Sequence, residues 1–260
     1  MVKLISIHSS RGGTGKSLIS SNIGTILAQE GWNVAILDFD FRAPSLLTIF
    51  HAKGIPKKWM NDVLEGKARV EDVMVDLTVK WKTKGKLLLG FANPNMEAMR
   101  EIAQKDRKWQ MQALKRIVSM KNTLQEKFNI DIIIIDTSPG VQYSSVNAVV
   151  SSDISLIISS LDILDIEGVK RMISDLYEPF EKETYILVNK ARPHMFVSEK
   201  SKQQMLKDTK KLFNKPLIAI IPCYCDILLA QRISIFSQDN PEHPFSGALK
   251  EVALRLEKLT

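Results

Sequence analysis

The chain has 260 residues, of which 45% are hydrophobic and 25% are charged, and its formal net charge is +7 at pH 7. This composition is that of a globular protein that can bury a full core without disulfide staples. No apolar run approaches the ~20 residues of a membrane-spanning helix, and the first residues enter a Gly-rich loop without a signal peptide. We therefore expect a cytoplasmic protein. The two cysteines, Cys223 and Cys225, are too close to form a structural bridge and too few for a closed metal site.

Short β-rich runs alternate with longer helical patterns along the chain. The predicted strands cover residues 2–8, 33–38, 86–92, 130–136, 154–159, 184–189 and 217–221. The helical patterns between them cover residues 16–30, 97–128, 167–177, 198–213 and 246–259. Several strands are apolar without alternation, which is typical of a parallel sheet covered on both faces.

No repeat or flexible linker divides the sequence, so we predict a single domain over residues 1–260. Alternating strands and helices predict an α/β fold with a doubly wound, mostly parallel sheet and helices on both faces. Ligands of such sheets bind beyond the carboxyl ends of the strands. Three of these ends carry chemically informative residues, beginning at Ser9, Asp38 and Asp136.

The segment between the first strand and the first helix is rich in glycine and reads Ser10-Arg11-Gly12-Gly13-Thr14-Gly15-Lys16-Ser17. Glycines allow backbone N–H groups to converge on phosphate oxygens, and a helix N-terminus adds partial positive charge. Lys16 can neutralise terminal phosphates, and the Ser17 hydroxyl can ligate Mg²⁺. In the pattern G-x-x-x-x-G-K-[ST] the first glycine would fall at Ser10, so this loop is a variant.

The variant resembles the deviant phosphate loop of the ParA/MinD family of ATPases, which reads K-G-G-x-G-K-[ST]. Later segments are similar to family segments in the same order: residues 36–40, 133–140, 187–190, 220–222 and 241–259. The resemblance implies a P-loop NTPase fold, ATP and Mg²⁺ as cofactors, and a homodimer that forms on ATP binding. It also implies binding of the nucleotide by Gly12, Gly13, Thr14, Gly15, Lys16 and Ser17.

Three aspartates follow two of the predicted strands. By resemblance Asp136 binds Mg²⁺ together with Ser17, Asp40 orients the attacking water, and Asp38 supports the metal shell. The roles of Asp38 and Asp40 are interchangeable at this level, and either could instead pair with Arg42. For Asp136 the alternative is a cap on the helix that follows it.

The family's signature lysine, which reaches across the dimer to the phosphates of the second copy, is Arg11 in this chain. A guanidinium could serve there as an arginine finger, so Arg11, Lys16 and Asp40 are the predicted catalytic residues. The alternative is that Arg11 pairs with a local carboxylate. If Arg11 disables the site, the chain binds nucleotide with little hydrolysis.

The end of the sixth predicted strand bears on the choice of base. Guanine readers commonly carry N-K-x-D there, whereas this chain reads Asn189-Lys190-Ala191-Arg192 and lacks the carboxylate. The Asn189 amide can pair with adenine, since it both donates and accepts. By resemblance Pro222 also lies near the base, and we expect ATP in preference to GTP.

The resemblance points to a switch ATPase for spatial positioning or partition, with an activating partner protein. Eight basic and two acidic residues between Lys190 and Lys215 form a candidate surface for nonspecific DNA. Membrane contact is less favoured, because the apolar stripe of the last helix is typical of core packing. A regulatory or metallocluster-carrier ATPase of the same superfamily is the alternative; carriers use cysteines after the switch regions, and none precedes Cys223.

Overall fold

The computed structural model describes residues 2–52, 56–196, 198–230 and 234–259. Within these ranges, eight strands form one sheet in the order β3-β4-β2-β5-β1-β6-β7-β8. Every pairing is parallel except that of β3 with β4 at one edge. The strands are β1 (Lys3–His8), β2 (Val34–Phe39), β3 (Met74–Asp76), β4 (Leu87–Gly90), β5 (Ile132–Thr137), β6 (Ile154–Ser159), β7 (Glu183–Ala191) and β8 (Leu217–Pro222).

Helices cover both faces of the sheet, which confirms the predicted α/β architecture. A π-helical segment, Ile173–Tyr177, continues the eighth helix. The helices are α1 (Lys16–Glu30), α2 (Leu46–Ile49), α3 (Met60–Glu65), α4 (Thr78–Trp81), α5 (Met96–Ala103), α6 (Arg107–Phe128), α7 (Tyr143–Ser151), α8 (Ile163–Met172), α9 (Glu199–Phe213), α10 (Cys225–Leu229), α11 (Phe236–Asp239) and α12 (Pro244–Lys258).

The central strands are buried on both faces of the sheet, because successive side chains point alternately into one of two hydrophobic cores. In β5, Ile132 and Ile134 belong to the core under α1 and α12, whereas Ile133 and Ile135 belong to the core under α6. Full burial of one such side chain contributes roughly 1.5–3 kcal/mol. The unbroken apolar run of this strand therefore follows from its central position.

α1 is buried on nearly every side, since it packs against the sheet, α11 and α12. One of its buried polar side chains, Asn22, forms two hydrogen bonds inside the protein. The Asn22 side chain donates to the Leu18 carbonyl at 2.7 Å and accepts the Ser237 N–H at 2.7 Å. This burial fixes the helix whose N-terminus follows the Gly-rich loop.

The structure differs from the predicted elements in several places, which include five short helices that were not predicted, α2, α3, α4, α10 and α11. The continuous helix predicted over residues 97–128 is two helices, α5 and α6, because Asp106 caps α6 by accepting the Trp109 N–H at 2.8 Å. The Ser-rich helix α7 and the short edge strand β3 were not predicted. No helix in the described ranges has the length and hydropathy needed to cross a membrane.

Candidate nucleotide-binding site

A cavity of about 540 Å³ opens at the carboxyl edge of the sheet, above β1, β2 and β5. Strand register places the informative residues here: Ile7 of β1 and Asp38 of β2 both pair with Asp136 of β5. The walls combine the Gly-rich loop with the loops that follow β2 and β5, and they include Gly12, Gly13, Gly15, Lys16, Ser17, Asp40, Ala43, Ser45 and Pro139.

The Gly-rich loop ends at Gly15, which caps α1 in a left-handed conformation with φ of 102°. A Cβ atom at this position would lie 2.5 Å from the Asn189 amide nitrogen, so only glycine fits. No side chain caps the helix and no acidic residue lies in its first turn. The N-terminal N–H groups of α1 are therefore available to an anion.

Lys16 lies in the first turn of α1 with only 6% of its surface exposed. Burial lowers the pKa of its ammonium group, and the nearby carboxylates of Asp136, Asp40 and Asp165 oppose that shift. A buried cation beside a helix N-terminus concentrates positive charge at the cavity floor. Phosphate is the ligand chemistry that this arrangement fits.

Asp136 is fully buried at the end of β5. Neither carboxylate oxygen has a hydrogen-bond partner of acceptable geometry in the described residues, although the Ser17 and Ser20 hydroxyls lie close enough to favour the ionised form. Burial dominates and raises the pKa of Asp136 to about 7. A buried carboxylate without a partner is costly unless it holds a cation.

These donors fit Mg²⁺. Magnesium is usually held by one or two carboxylates, waters and substrate phosphates, and not by an all-protein cage. Accordingly, the described residues contain no group of three or more His, Cys, Asp or Glu side chains arranged to hold a metal alone. Asp136 and Ser17 are the side chains that would hold the ion.

Asp38, although aligned with Asp136, has a different environment. One oxygen accepts the Asp40 N–H at 3.0 Å and the other accepts the Leu46 N–H at 3.3 Å. Burial, with Asp136 and Asp40 nearby, raises the pKa of Asp38 well above its ordinary value. This carboxyl group anchors the loop that follows β2.

Asp40 lies in the cavity wall and is 7% exposed. Its Oδ1 accepts N–H groups of Arg42 and Ala43 at 3.3 and 3.1 Å, and the Ser138 hydroxyl at 2.9 Å. Asp40 therefore joins the loop after β2 to the turn after β5. Sequence reasoning missed Ser138, which no motif marked individually.

Arg11 lies outside the cavity, with half of its side chain exposed. Its guanidinium forms an ion pair with Asp162, with Nη1 3.8 Å from Oδ1. The predicted alternative, pairing with a local carboxylate, is thus present in the single chain. The Ser10 hydroxyl also donates to the Asp165 carboxylate, so the loop meets the first turn of α8 at two adjacent residues.

The residues predicted to read the base form a narrow cleft beside Gly15, lined by Asn189, Pro222, Cys223, Tyr224 and Phe245 among others. Asn189 donates through Nδ2 to the Thr14 carbonyl at 2.8 Å, and Lys190 donates to the Gly13 carbonyl at 2.6 Å. The support that Lys190 gives the loop was not predicted; the sequence placed this residue at the strand end that resembles the base-reading segment and in the basic patch.

The basic patch is partly engaged within the protein. Lys190 contacts the loop, and Lys215 pairs with Glu178 at 3.3 Å. The exposed basic residues that remain in the described side chains are Arg192, Lys200, Lys207, Lys210 and Lys211. The side chain of Lys202 lies outside the described residues.

The fold and this loop together define the chain as a P-loop nucleoside triphosphatase. The family model described as an AAA domain matches residues 2–189, well over half of the chain. The chain belongs to this family and, within it, to the ParA/MinD ATPases.

The similarity to members of this family covers nearly the whole chain. The septum site-determining protein MinD of Thermotoga maritima is 26% identical over 263 residues, covering 98% of this chain and 88% of that protein. The MinD cell division protein of Aquifex aeolicus has a TM-score of 0.77 at 24% identity, covering 99% and 97% of the two chains. MinD of Pyrococcus horikoshii, solved with Mg-ADP, has a TM-score of 0.76 at 20% identity, covering 100% and 97%.

Proposed function

We propose that this chain is a cytoplasmic, Mg²⁺-dependent ATPase that dimerises on binding ATP and acts as a switch in division-site placement or in chromosome or plasmid partition. The observation that carries the proposal is the buried Asp136, which has no hydrogen-bond partner among the described residues, beside Lys16 at the open N-terminus of α1. The names of the relatives, which describe septum-site determination and a Mg-ADP complex, support it.

In this proposal each group acts by position and charge. The N–H groups of α1 and the Lys16 ammonium bind the phosphates and offset the charge that develops as water attacks the γ-phosphate. Asp40 orients the attacking water. Ser17 and Asp136 would hold Mg²⁺, with Asp38 supporting the metal shell, and the ion would supply positive charge to the phosphate oxygens. The products are ADP and phosphate.

The dimer interface would lie at the carboxyl edge of the sheet, where the cavity opens. Beside Arg11 this edge exposes large apolar side chains at the starts of α7 and α8, namely Val141, Tyr143, Ile163 and Leu164. We propose that a second copy covers them when ATP is bound, and that Arg11 then leaves Asp162 for the phosphates of that copy. Arg11→Ala should reduce dimerisation with a non-hydrolysable ATP analogue; unchanged dimerisation and turnover would contradict the role.

To position a cargo, the switch needs a surface that binds the cargo or its support, and a partner protein that activates hydrolysis. The exposed lysines of α9 are a candidate surface for nonspecific double-stranded DNA, because sequence-independent binding depends on phosphate contacts. Charge reversal at Lys207 and Lys211 should weaken DNA binding and flatten its salt dependence. Binding to anionic vesicles in place of DNA would assign the surface to a membrane.

The first test is steady-state hydrolysis of ATP and GTP with Mg²⁺, with and without DNA. We expect ATP turnover that EDTA and Lys16→Ala abolish. Nucleotide binding without turnover would favour the alternative of a switch with little hydrolysis. A metallocluster carrier is less favoured, since Cys223 lines the cleft beside Gly15 and Cys225 begins α10, and neither belongs to α7 or α8, where the exposed apolar side chains lie.

A further inference from the structure

His8, the last residue of β1, is a fully buried imidazole that the mechanism above does not use. Its Nε2 atom lies 2.9 Å from the Gly140 carbonyl oxygen, and its Nδ1 atom lies 2.5 Å from the Tyr177 hydroxyl. A carbonyl oxygen only accepts, so Nε2 must carry a proton. Nδ1 of the neutral ring then accepts the Tyr177 proton, and the two contacts specify a single tautomer.

The partner of His8 belongs to the turn that follows the metal-side Asp136. Gly140 donates its N–H to the Ser9 carbonyl at 2.8 Å, and its carbonyl also accepts the Gln142 N–H at 3.0 Å. Thr137, at the start of the turn, donates its hydroxyl to the Ile7 carbonyl at 2.9 Å. His8 therefore completes a row of contacts that attaches the turn to β1.

This attachment extends to the catalytic side of the cavity. Ser138, within the same turn, donates to the Asp40 carboxylate at 2.9 Å and accepts the Ser145 hydroxyl at its carbonyl at 2.7 Å. A displacement of Gly140 would shift Ser138, and with it the carboxylate assigned to the attacking water. A small shift of this kind lowers the rate of reaction more than it lowers nucleotide affinity.

The second partner, Tyr177, ends the π-helical continuation of α8 and is also fully buried. Burial raises its pKa well above the ordinary value, so the hydroxyl remains a donor. Burial also lowers the pKa of His8 to about 4, which keeps the ring neutral. Because Asp165 near the other end of α8 accepts the Ser10 hydroxyl, this helix supports the strand–loop junction at two points.

We propose that His8 is a positioning residue for hydrolysis: its Nε2–H group holds the Gly140 carbonyl and thus the turn between Asp136 and α7, while Tyr177 fixes the ring. The kinetic part of this inference rests on the proposed ATPase function. The tautomer and the attachment of the turn do not, and they can be measured in a chain that hydrolyses nothing.

Three variants separate these roles. His8→Gln places an amide donor near the position of Nε2, His8→Leu removes the donor at similar volume, and Tyr177→Phe removes only the hydroxyl. Nitrogen-15 NMR of the imidazole rings, assigned by the loss of one ring in His8→Gln, reports the tautomer. Hydrogen exchange of the peptide spanning residues 137–142 reports the turn, and a fluorescent nucleotide titration reports affinity.

We expect the Nε2–H tautomer in the wild-type chain. His8→Leu should exchange residues 137–142 faster and lose turnover about tenfold, whereas His8→Gln should stay within about threefold of wild type, with affinities within about twofold in both. Tyr177→Phe should lose turnover with unchanged affinity. An Nδ1–H ring, or equal exchange in the Leu and Gln variants, would overturn the proposal. Absent wild-type turnover would count against the ATPase function alone.

Discussion

At the scale of single residues, Asp38 and Asp136, which are aligned and buried at the carboxyl ends of β2 and β5, have different environments. Both oxygens of Asp38 accept backbone N–H groups of its own loop, whereas Asp136 has no such partner among the described residues. A buried carboxylate without a hydrogen-bond partner among the described residues destabilises the metal-free protein. The same group gains most from a cation, which links the proposed role of Asp136 to its burial.

Asp136→Asn should therefore separate stability from activity. We expect it to abolish Mg²⁺-dependent turnover and to raise the free energy of unfolding of the metal-free chain at pH 8 by about 1–3 kcal/mol. Denaturant unfolding in EDTA measures this. The matched control is Asp38→Asn, in which one of the two backbone N–H groups loses its acceptor, so this variant should be less stable than wild type. Equal changes in the free energy of unfolding in the two variants would contradict the difference between Asp38 and Asp136.

Gly15 offers a second test at this scale. Gly15→Ala forces a left-handed residue and a Cβ atom against the Asn189 amide, so we expect loss of nucleotide binding and destabilisation by about 1–3 kcal/mol. Isothermal titration and thermal unfolding measure the two effects. The control is Gly247→Ala in α12, where an added Cβ atom would have no described atom within 4 Å apart from the backbone of its own helix. We expect this change to stabilise the chain by about 0.5–1 kcal/mol.

At the scale of elements, helical periodicity over residues 97–128 is continuous although the helix is not. Asp106 has an extended backbone and satisfies the N-terminus of α6 with its side chain. A cap competes with helix propagation, and a pattern of apolar residues carries no information on which prevails. Tertiary packing of α6 over Ile133 and Ile135 then fixes its direction.

Asp106→Ala should lower the free energy of unfolding by about 0.5–2 kcal/mol, because the Trp109 N–H loses its acceptor. Denaturant titration followed by far-UV circular dichroism is the measurement. Asp106→Asn retains a capping oxygen and should stay near wild type. If Ala and Asn variants unfolded alike, the cap would not be what separates α5 from α6.

At the scale of the whole molecule, the sheet order brings β1 between β5 and β6, so its last side chain lies among elements distant in sequence. His8 consequently touches Gly140 and Tyr177, and it is buried near the Lys16 charge. Burial is the main cause of its lowered pKa, the Gly140 contact opposes the shift, and Lys16 adds to it. The fold thus disfavours a second proton on this imidazole, which stays neutral.

The free energy of unfolding should depend on pH through His8. Its pKa falls from 6.5 in the unfolded chain to about 4 in the folded one, so the unfolded chain binds the extra proton between these values. The contribution of His8 to the free energy of unfolding is then greatest above pH 6.5 and decreases as pH falls toward 4, by roughly 3 kcal/mol at about 1.4 kcal/mol per pKa unit. Urea unfolding of the wild type and of His8→Gln from pH 7.5 to 4.5 measures this contribution. The variant should lose less free energy of unfolding over that range; an equal loss in the two proteins would contradict the prediction.

The sequence by itself determined the phosphate loop, the strand–helix alternation and the parallel sheet. These follow from local signals: glycines before a helix, Lys16 and Ser17 in its first turn, and strands apolar on both faces. The positions of Asp38, Asp40 and Asp136 at strand ends also placed them at the same edge, because parallel strands share one carboxyl edge.

Only the tertiary structure decided how those residues differ. Sequence could not separate Asp38 from Asp40, because their partners, Leu46 and Ser138, are brought in by loop closure and by a neighbouring strand. It placed Lys190 on a surface although this side chain supports Gly13, and it left His8 within a strand. Contacts between distant segments depend on strand order, which periodicity along the chain does not encode.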